Sequence, residues 1–473
     1  MVGRKRELEI LNECRTADRS RLVVVLGRRR VGKTFLVREA FGYAFTFTHT
    51  GLENGSLSEQ LSSFWNDLRR QSGKEFRLPG NWMEAFEMLK DALQASKDPR
   101  KTVFIDELPW MDTRNSGFVK AIEAFWNGWA SARTDVVMVV CGSAAAWMTR
   151  TILHNKGGLF NRANRTIRLE PFTLAECEEF VQSEGIAMDR KDIASAYMVF
   201  GGAPYYWSLL DKRDSLSQNI DRLFFGNSPE LADEFSRLFR SVFANPEPYM
   251  AVVATLGRKK AGMTRAEIVS ATRGAANDGK LTEILANLES SGFVRRYNEF
   301  GALKKGSIYQ IIDNFTLFYF KFVNGQAGRD PAKWSHMVRD SRRLAWEGLA
   351  FERLCLLHSR QIKAALGIAG VETEESAWRC NAADPETNGA QIDLVIRRAD
   401  RVTNLCEMEF CSERFAIDSG CAERLREKIG AFKRETGTKD NCHLTFVTTY
   451  GLLRNANASM VQSEVTLDDL FGH

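Results

Sequence analysis

Arg21-Leu22-Val23-Val24-Val25-Leu26-Gly27-Arg28-Arg29-Arg30-Val31-Gly32-Lys33-Thr34 is the stretch whose reading decides the fold. After its first residue, Arg21 to Leu26 is apolar and rich in valine, the pattern of a parallel strand buried on both faces. A glycine-bounded loop follows at once, Gly27 to Thr34, and Thr34 to Phe41 then reads as a helix. Strand, loop and helix in this order is the context that a phosphate-binding loop requires. Gly27 and Gly32 allow backbone paths that side chains would obstruct. The N–H groups from Gly27 through Arg28, Arg29, Arg30, Val31, Gly32, Lys33 and Thr34 to Phe35 can then face phosphate oxygens at a helix N-terminus. Lys33 is expected to reach the β- and γ-phosphates of ATP, and Thr34 to offer its hydroxyl to Mg²⁺. The three arginines either contact phosphate or brace neighbouring carboxylates.

Working outward, a second apolar run, Thr102-Val103-Phe104-Ile105-Asp106-Glu107, ends in two acids. Asp106 is expected to hold Mg²⁺, directly or through water. Glu107 is expected to orient or activate the attacking water. A third buried strand, Val136 to Cys141, ends in Gly142-Ser143. Ser143 stands where a polar sensor of the γ-phosphate would, or it caps a helix from Ala144 to Thr149. A fourth strand runs from Arg165 to Leu169. Strands alternating with helices predict an α/β P-loop NTPase, with an open, mostly parallel sheet and its ligand at the C-terminal edge. Arg162 and Arg165 lie before the body of the fourth strand. Either can serve as an arginine finger, or both form surface salt bridges.

A chain of 473 residues is too long for one core, so two to four domains are expected. With 44% hydrophobic and 26% charged residues it reads as a soluble globular protein. No window approaches the roughly 18 apolar residues of a membrane span. Met1 to Glu7 runs into an amphipathic helix without an apolar leader, so a cytoplasmic protein with no membrane partner is expected. Nine cysteines without CxxC or Cys/His ligand spacing predict reduced, mostly buried thiols. A net charge of +5 permits nucleic-acid binding without arguing for it.

Several further stretches carry a resemblance. They are Val2-Gly3-Arg4 with Glu7, the loop GRRRVGKT, VFIDEL, CGSAAAWM, Arg165 to Leu174 and Gly201-Gly202-Ala203-Pro204-Tyr205-Tyr206. On these residues nearly the whole chain resembles the archaeal-type AAA ATPases of the STAND-related group, whose C-terminal region is similar to restriction-like nucleases. The loop is common to many NTPases, whereas RLEPFTLAE followed by GGAPYY is more specific. The resemblance implies an AAA-like core over 1–172 and a helical lid over 173–235, with Pro204 near the nucleotide. It also implies that Val2, Gly3 and Arg4 line the adenine pocket, although only Met1 precedes them where relatives carry an apolar or aromatic residue. From the residues alone, Gly201 to Pro204 is a tight turn.

Residues 236–325 are expected to hold a winged-helix domain. Tyr249 begins a helix stopped by Gly257, Met263 to Val269 offers a capped short helix, and Lys280 to Glu289 is a third. Phe293 to Tyr297 and Ser307 to Ile312 then form a two-stranded wing. Arg295, Arg296, Lys304 and Lys305 suit phosphate contacts, though the third helix is not strongly basic. Such a domain binds DNA or docks protein.

Residues 326–473 follow the order of a restriction-endonuclease-like α/β core. A long helix carries Glu352, a strand runs from Gln391 to Ile396, and its hairpin partner spans Asn404 to Phe410. A helix over Ala422 to Thr436 and a strand over His443 to Thr449 come next. Strand alternation puts Gln391 and Asp393 on one face of their strand, and it puts Glu407 and Glu409 together on theirs, with Met408 opposite. Glu352, Asp393 and Glu407 are therefore candidates for a second metal site. Glu409 stands where the nuclease pattern has lysine, and Lys428 on the following helix is a possible substitute. Three readings remain: a degenerate nuclease fold used for binding, a nuclease with a migrated lysine and a sheet whose edge acids are solvated, with the first favoured over active cleavage. The expected function is an ATP-driven switch, with ATP-regulated nuclease and nucleotide-controlled protein scaffold as alternatives. DNA, a protein partner and a second copy of the chain remain open as partners.

Overall fold

In the computed structural model, residues 1–153, 163–243, 245–301, 307–325, 330–380 and 390–472 are described. The chain groups into two compact units. One comprises Met1–Pro171, Ala203–Tyr205 and Arg237–Pro246; the other comprises Phe172–Gly202, Tyr206–Ser236 and Glu247–His473. This grouping is coarser than the four-part division expected above. Most of 173–235 clusters with the C-terminal half, and only Ala203–Tyr205 of it with the first sheet.

The first unit is built on five strands: β1 (Arg21–Gly27), β2 (Phe47–Thr50), β3 (Lys101–Asp106), β4 (Val136–Gly142) and β5 (Arg165–Leu169). They are all parallel, in the order β2-β3-β4-β1-β5. Strand alternation divides the apolar residues between two cores. Leu22, Val24 and Leu26 join Val103, Ile105, Met138 and Val140 on one face. Val23 and Val25 join Phe104, Val137 and Val139 on the other, under Leu11, Leu36 and Val37 of the flanking helices. Burial on both faces is why these strands read as continuous apolar runs rather than alternating ones. Because all strands run one way, Gly27, Asp106 and Gly142 end at one edge of the sheet. Strand β2, with the sequence FTHT, lacks that apolar run and is invisible to periodicity.

The second unit contains helices Glu247–Leu256, Arg265–Ala271 and Gly279–Ser290 with three short strands. These are β6 (Met263–Thr264), β7 (Val294–Tyr297) and β8 (Ile308–Ile311), in the order β6-β8-β7 and all antiparallel. Thr264 accepts from the Glu267 N–H in a capping box, which starts the middle helix where the sequence predicts. Further on, five strands form a mixed sheet in the order β13-β12-β11-β10-β9. They are β9 (Thr373–Cys380), β10 (Ala390–Arg398), β11 (Val402–Glu409), β12 (Asn441–Thr448) and β13 (Ser463–Thr466). Strands β9, β10 and β11 pair antiparallel; β11, β12 and β13 pair parallel. The helix Ser419–Thr436 makes the crossover that the parallel pair β11–β12 needs. The register of β10 against β9 shifts between Ile392 and Val395, a bulge at Asp393 and Leu394. Bulges of this kind re-aim side chains and gather beside functional sites.

The long helix expected to carry Glu352 is broken at His358 into Ser341–Leu357 and Ser359–Ala365. His358 is fully buried. Its Nδ1 lies 2.8 Å from the Leu354 carbonyl, and its Nε2 accepts from the Leu174 N–H at 3.1 Å. A second ring proton would face that N–H, so the imidazole must stay neutral. Burial accordingly holds its pKa down to about 4, against an ordinary 6.5. The unfolded chain then takes up the proton first as pH falls, so this contribution is complete above the unfolded pKa and is lost towards the folded one. Unfolding of the second unit in urea should become easier by about 2 kcal/mol between about pH 7 and pH 5. In His358→Gln that part of the slope should vanish; an unchanged slope would remove His358 as its source.

Candidate functional site

The loop after β1 closes on itself through Lys33. Its ammonium, nearly buried, donates to the carbonyls of Gly27 (3.0 Å) and Arg28 (3.1 Å) and to Ser143 Oγ (2.9 Å). Gly27 lies so near β5 that a Cβ there would stand 2.4 Å from the Leu169 carbonyl oxygen. Gly32 has φ 89°, a conformation that side chains disfavour, and it leads directly into the helix Lys33–Ala40. The loop residues therefore have backbone reasons for being glycine that hold without any ligand.

Thr34 Oγ1 donates to Asp106 Oδ2 at 2.6 Å, joining the loop to the end of β3. Asp106 is almost fully buried, and burial pushes its carboxyl up while the Thr34 hydrogen bond opposes this. A buried carboxylate beside one hydroxyl is a donor set that a divalent cation would suit, since the cation removes the cost of burying the charge. The next residue, Glu107, has φ 45°. A non-glycine residue in this left-handed region costs on the order of 1 kcal/mol and is found most often at functional sites. Its carboxylate accepts from the Ser143 N–H at 3.0 Å and from the Ser143 hydroxyl. Lys33, Ser143 and Glu107 thus form one chain of ammonium, hydroxyl and carboxylate across the ends of β1, β3 and β4.

The other predicted residues fall into place around this chain to differing degrees. Val31 is buried, and Phe35 is half exposed. Arg29 Nη1 stands 3.9 Å from Glu53, which matches the bracing role. Arg30, at φ 75°, places its guanidinium 3.8 Å from the centroid of the Tyr205 ring, and its carbonyl accepts from the Tyr205 N–H at 3.4 Å. Tyr205, which follows Pro204, is thereby brought to the loop, a contact that sequence spacing does not reveal. Arg4 caps the helix Lys5–Thr16 at φ 59°, and its Nη2 donates to the Glu170 carbonyl at 2.7 Å. Val2, Gly3 and Arg4 therefore lie by the end of β5. Arg162 lies outside the described residues. Arg165 is half exposed and 3.9 Å from Glu13, the surface pair that the sequence left open.

Within the second unit a separate polar centre gathers on β10, β11 and the helices Ser341–Leu357 and Ser419–Thr436. Lys428 Nζ bonds both carboxylate oxygens of Glu407, at 2.7 and 2.8 Å. Lys260 Nζ bonds Glu352 Oε1 at 2.7 Å. Gln391 Nε2 donates to Asp393 Oδ1 at 2.6 Å. Burial, with the Asp393 charge adding to it, pushes the Glu352 carboxyl up to about 7. Burial also raises Glu407, against the pull of Lys428, and it raises Glu409, with the Glu407 charge adding to it.

Two expectations change here. Glu352, Asp393 and Glu407 do not come together as a metal site: among the described residues no group of three or more His, Cys, Asp or Glu side chains can hold a metal ion. Lysine ammonium groups occupy two of the three carboxylates instead. Arg295 is not a free phosphate contact either. Its Nε donates to Gln310 at 2.7 Å, its guanidinium lies 4.5 Å from the Tyr297 ring centroid, and burial lowers its pKa to about 10. Arg296 is exposed and 3.6 Å from Glu289; Lys304 and Lys305 lie outside the described residues. No helix among the described residues is long and apolar enough to cross a membrane.

Comparison with known proteins agrees with the first unit's geometry. Residues 1–210 match a family described as an ATPase domain predominantly from Archaea. An uncharacterized protein of Methanocaldococcus jannaschii is 24% identical over 338 residues, 68% of each chain. A Walker-type ATPase of Pyrococcus abyssi shares the fold with a TM-score of 0.50 at 14% identity, over 68% of this chain and 96% of that one. The ORC2 protein of Aeropyrum pernix, solved in ADPNP–ADP complexes, reaches a TM-score of 0.39 at 14% identity, over 67% and 92% of the two chains. Residues 1–210 are thus similar to the ATPase domains found predominantly in Archaea, and the fold is that of a Walker-type ATPase.

Proposed function

We propose that the chain is an ATP-binding and ATP-hydrolysing molecular switch of the AAA type, with its chemistry at the edge formed by Gly27–Thr34, Asp106, Glu107 and Ser143. The observation that carries this reading is the pair of contacts Thr34–Asp106 and Lys33–Ser143–Glu107, which meet at the C-terminal edge of a parallel sheet. Lys33 would neutralise phosphate charge, and the loop N–H groups would hold the phosphate oxygens. Thr34 and Asp106 would hold Mg²⁺, which when bound supplies positive charge to the phosphates. Glu107 would take the proton of the attacking water, and Ser143 orients that carboxylate now and would meet the γ-phosphate side of the site. Arg30 stacked on Tyr205 offers a route by which the loop's state reaches the Gly201–Tyr206 segment. The test is ATP turnover with and without Mg²⁺, DNA and RNA. Turnover that needs Mg²⁺ and rises with one nucleic acid would also name the partner; no turnover under any of these conditions would end the reading.

The domain reading accompanies this proposal: an ATPase core over 1–172, a lid over 173–235, a winged helix over 236–325 and a restriction-endonuclease-like domain over 326–473. Helix, strand, two helices and two strands with the sheet order β6-β8-β7 support the winged helix. The inward Arg295 favours docking over direct DNA contact, and a protein partner or a second copy then becomes the object of the switch.

A second reading, an ATP-regulated nuclease, is favoured by one observation. Lys428 delivers to Glu407 the ammonium that Glu409 cannot supply. On this reading, cleavage of DNA or RNA with Mg²⁺ or Mn²⁺ should disappear in Asp393→Ala and fall at least about 100-fold in Lys428→Ala, the loss typical of one charge stabiliser. Absence of cleavage by the wild-type chain leaves the domain a binding module.

A further inference from the structure

Strand β2 ends the order β2-β3-β4-β1-β5, so among the described residues one edge of its backbone meets no other strand. Native sheets cover the peptide groups of such an edge in one way or another. Here two glutamines of one helix, Leu57–Ser72, cover it. Gln71 accepts from the Thr48 N–H at 2.8 Å and donates to the Thr48 carbonyl at 2.7 Å. Gln60 does the same for Leu52, just past the strand, at 3.0 and 2.7 Å. A carboxamide carries a donor and an acceptor side by side, so each glutamine stands in for a peptide group of the absent strand.

The two glutamines differ in one respect. Gln60 is fully buried, and its amide nitrogen also donates to the Trp110 carbonyl at 2.9 Å. Trp110 belongs to the short helix Leu108–Met111, which begins directly after Glu107. A helix this short leaves its last carbonyls without partners of its own. The Trp110 N–H in turn donates to the Glu107 carbonyl at 3.0 Å. Gly51 closes the contact from the strand side. Its N–H donates to the Asp106 carbonyl at 3.0 Å, and a Cβ on it would stand 2.7 Å from the Glu107 carbonyl oxygen. Residues 51 and 52 therefore lie close against the turn from Asp106 to Met111, and Gln60 fastens one to the other. Glu107 sits in that turn at φ 45°. A left-handed residue other than glycine persists only where its surroundings over-determine it.

We propose that Gln60 is a positioning residue for Glu107. By holding Leu52 and Trp110 at once, it keeps the turn in the shape that lays the Glu107 carboxylate on Ser143. Hydrolysis then depends on Gln60, and nucleotide binding does not. The inference rests on the reading of Glu107 as the base of an ATPase. It requires no contact between Gln60 and the nucleotide, since the effect travels through the backbone of residues 106–111.

The test is single-turnover ATP hydrolysis beside binding of a fluorescent ATP analogue. It uses the full-length wild type, Q60L, Q71L, G51A, E107Q and the double variant Q60L/E107Q. Q60L should hydrolyse about 10- to 100-fold more slowly, the range expected of a misplaced reacting group, with ATP affinity within a few-fold of wild type. Q71L removes the matching clamp at Thr48, away from the turn, and should hydrolyse at the wild-type rate. E107Q has no base left to misplace, so adding Q60L should slow it no further, whereas independent effects would multiply. G51A leaves Gln60 intact and presses on the Glu107 carbonyl. It should show the same split between rate and affinity, and it reports even where Q60L does not fold. Wild-type hydrolysis in a folded Q60L overturns the inference, as does wild-type hydrolysis in G51A where Q60L does not fold. Equal slowing by Q60L with and without the Glu107 carboxylate overturns it too. The ATPase reading fails separately: E107Q hydrolysing at the wild-type rate ends that reading, and the role of Gln60 with it.

Discussion

Lys33→Ala should lose ATP binding, by at least about 100-fold in affinity, and with it all turnover. The ammonium is the loop's own charge, and a hydrogen bond to a charged group contributes roughly 1.5–3 kcal/mol, each 1.4 kcal/mol being tenfold. More than one such bond to phosphate would be removed. The variant also loses a structural role, because Lys33 ties Gly27, Arg28 and Ser143 together in the absence of ligand. Binding of a fluorescent ATP analogue measures the effect. Wild-type affinity in the variant would show that the phosphates do not lie at Gly27–Thr34. Thermal stability measured alongside separates the two roles, since a loosened loop alone would lower the melting temperature without a hundredfold change in affinity.

Glu107→Gln should have the opposite signature, with ATP bound near wild-type affinity and kcat lowered by about 10²- to 10⁴-fold, the contribution typical of a positioned general base. The amide keeps the shape of the carboxylate and can still accept from the Ser143 N–H, so the left-handed turn at Glu107 has no new reason to relax. What it loses is basicity. Single-turnover hydrolysis of radiolabelled ATP makes the comparison directly. Turnover within a few-fold of wild type would take Glu107 out of the chemistry and leave it as the residue that positions Ser143.

The two variants together separate a site that binds from a site that cuts. The Ser143 hydroxyl accepts from Lys33 and donates to Glu107, so it couples the ammonium to the carboxylate. A ligand that draws Lys33 away from Ser143 changes what Glu107 is bonded to. On the proposed function, that would be a physical route from nucleotide binding to readiness for hydrolysis within the first unit.

Much of the first unit was legible in the chain. Runs such as RLVVVL and VVMVVC mean buried parallel strands because both sheet faces are covered. The loop was legible because the constraints on Gly32 and Lys33 are local. In the second unit, caps and periodicity marked the helices 247–256, 265–271 and 279–290. The strands that stayed hidden, β2, β6, β9 and β13, lie at the ends of their sheets and are short or mixed in polarity. Their residues became strands by pairing with a neighbour rather than by any pattern of their own.

The amino-acid sequence by itself marked the glycine-bounded loop, the acids Asp106 and Glu107 and the strands of continuous apolar residues, because each depends on neighbours within a few residues. Only the tertiary structure decided where the charges go. It set Lys428 on Glu407, Lys260 on Glu352 and Arg30 on Tyr205, and it turned Arg295 inward. An ammonium at the end of a four-carbon stem can meet any carboxylate that the fold brings within reach. Which one it meets is settled by the packing of elements 21 residues apart in one case and 92 in another, so no local pattern can record it.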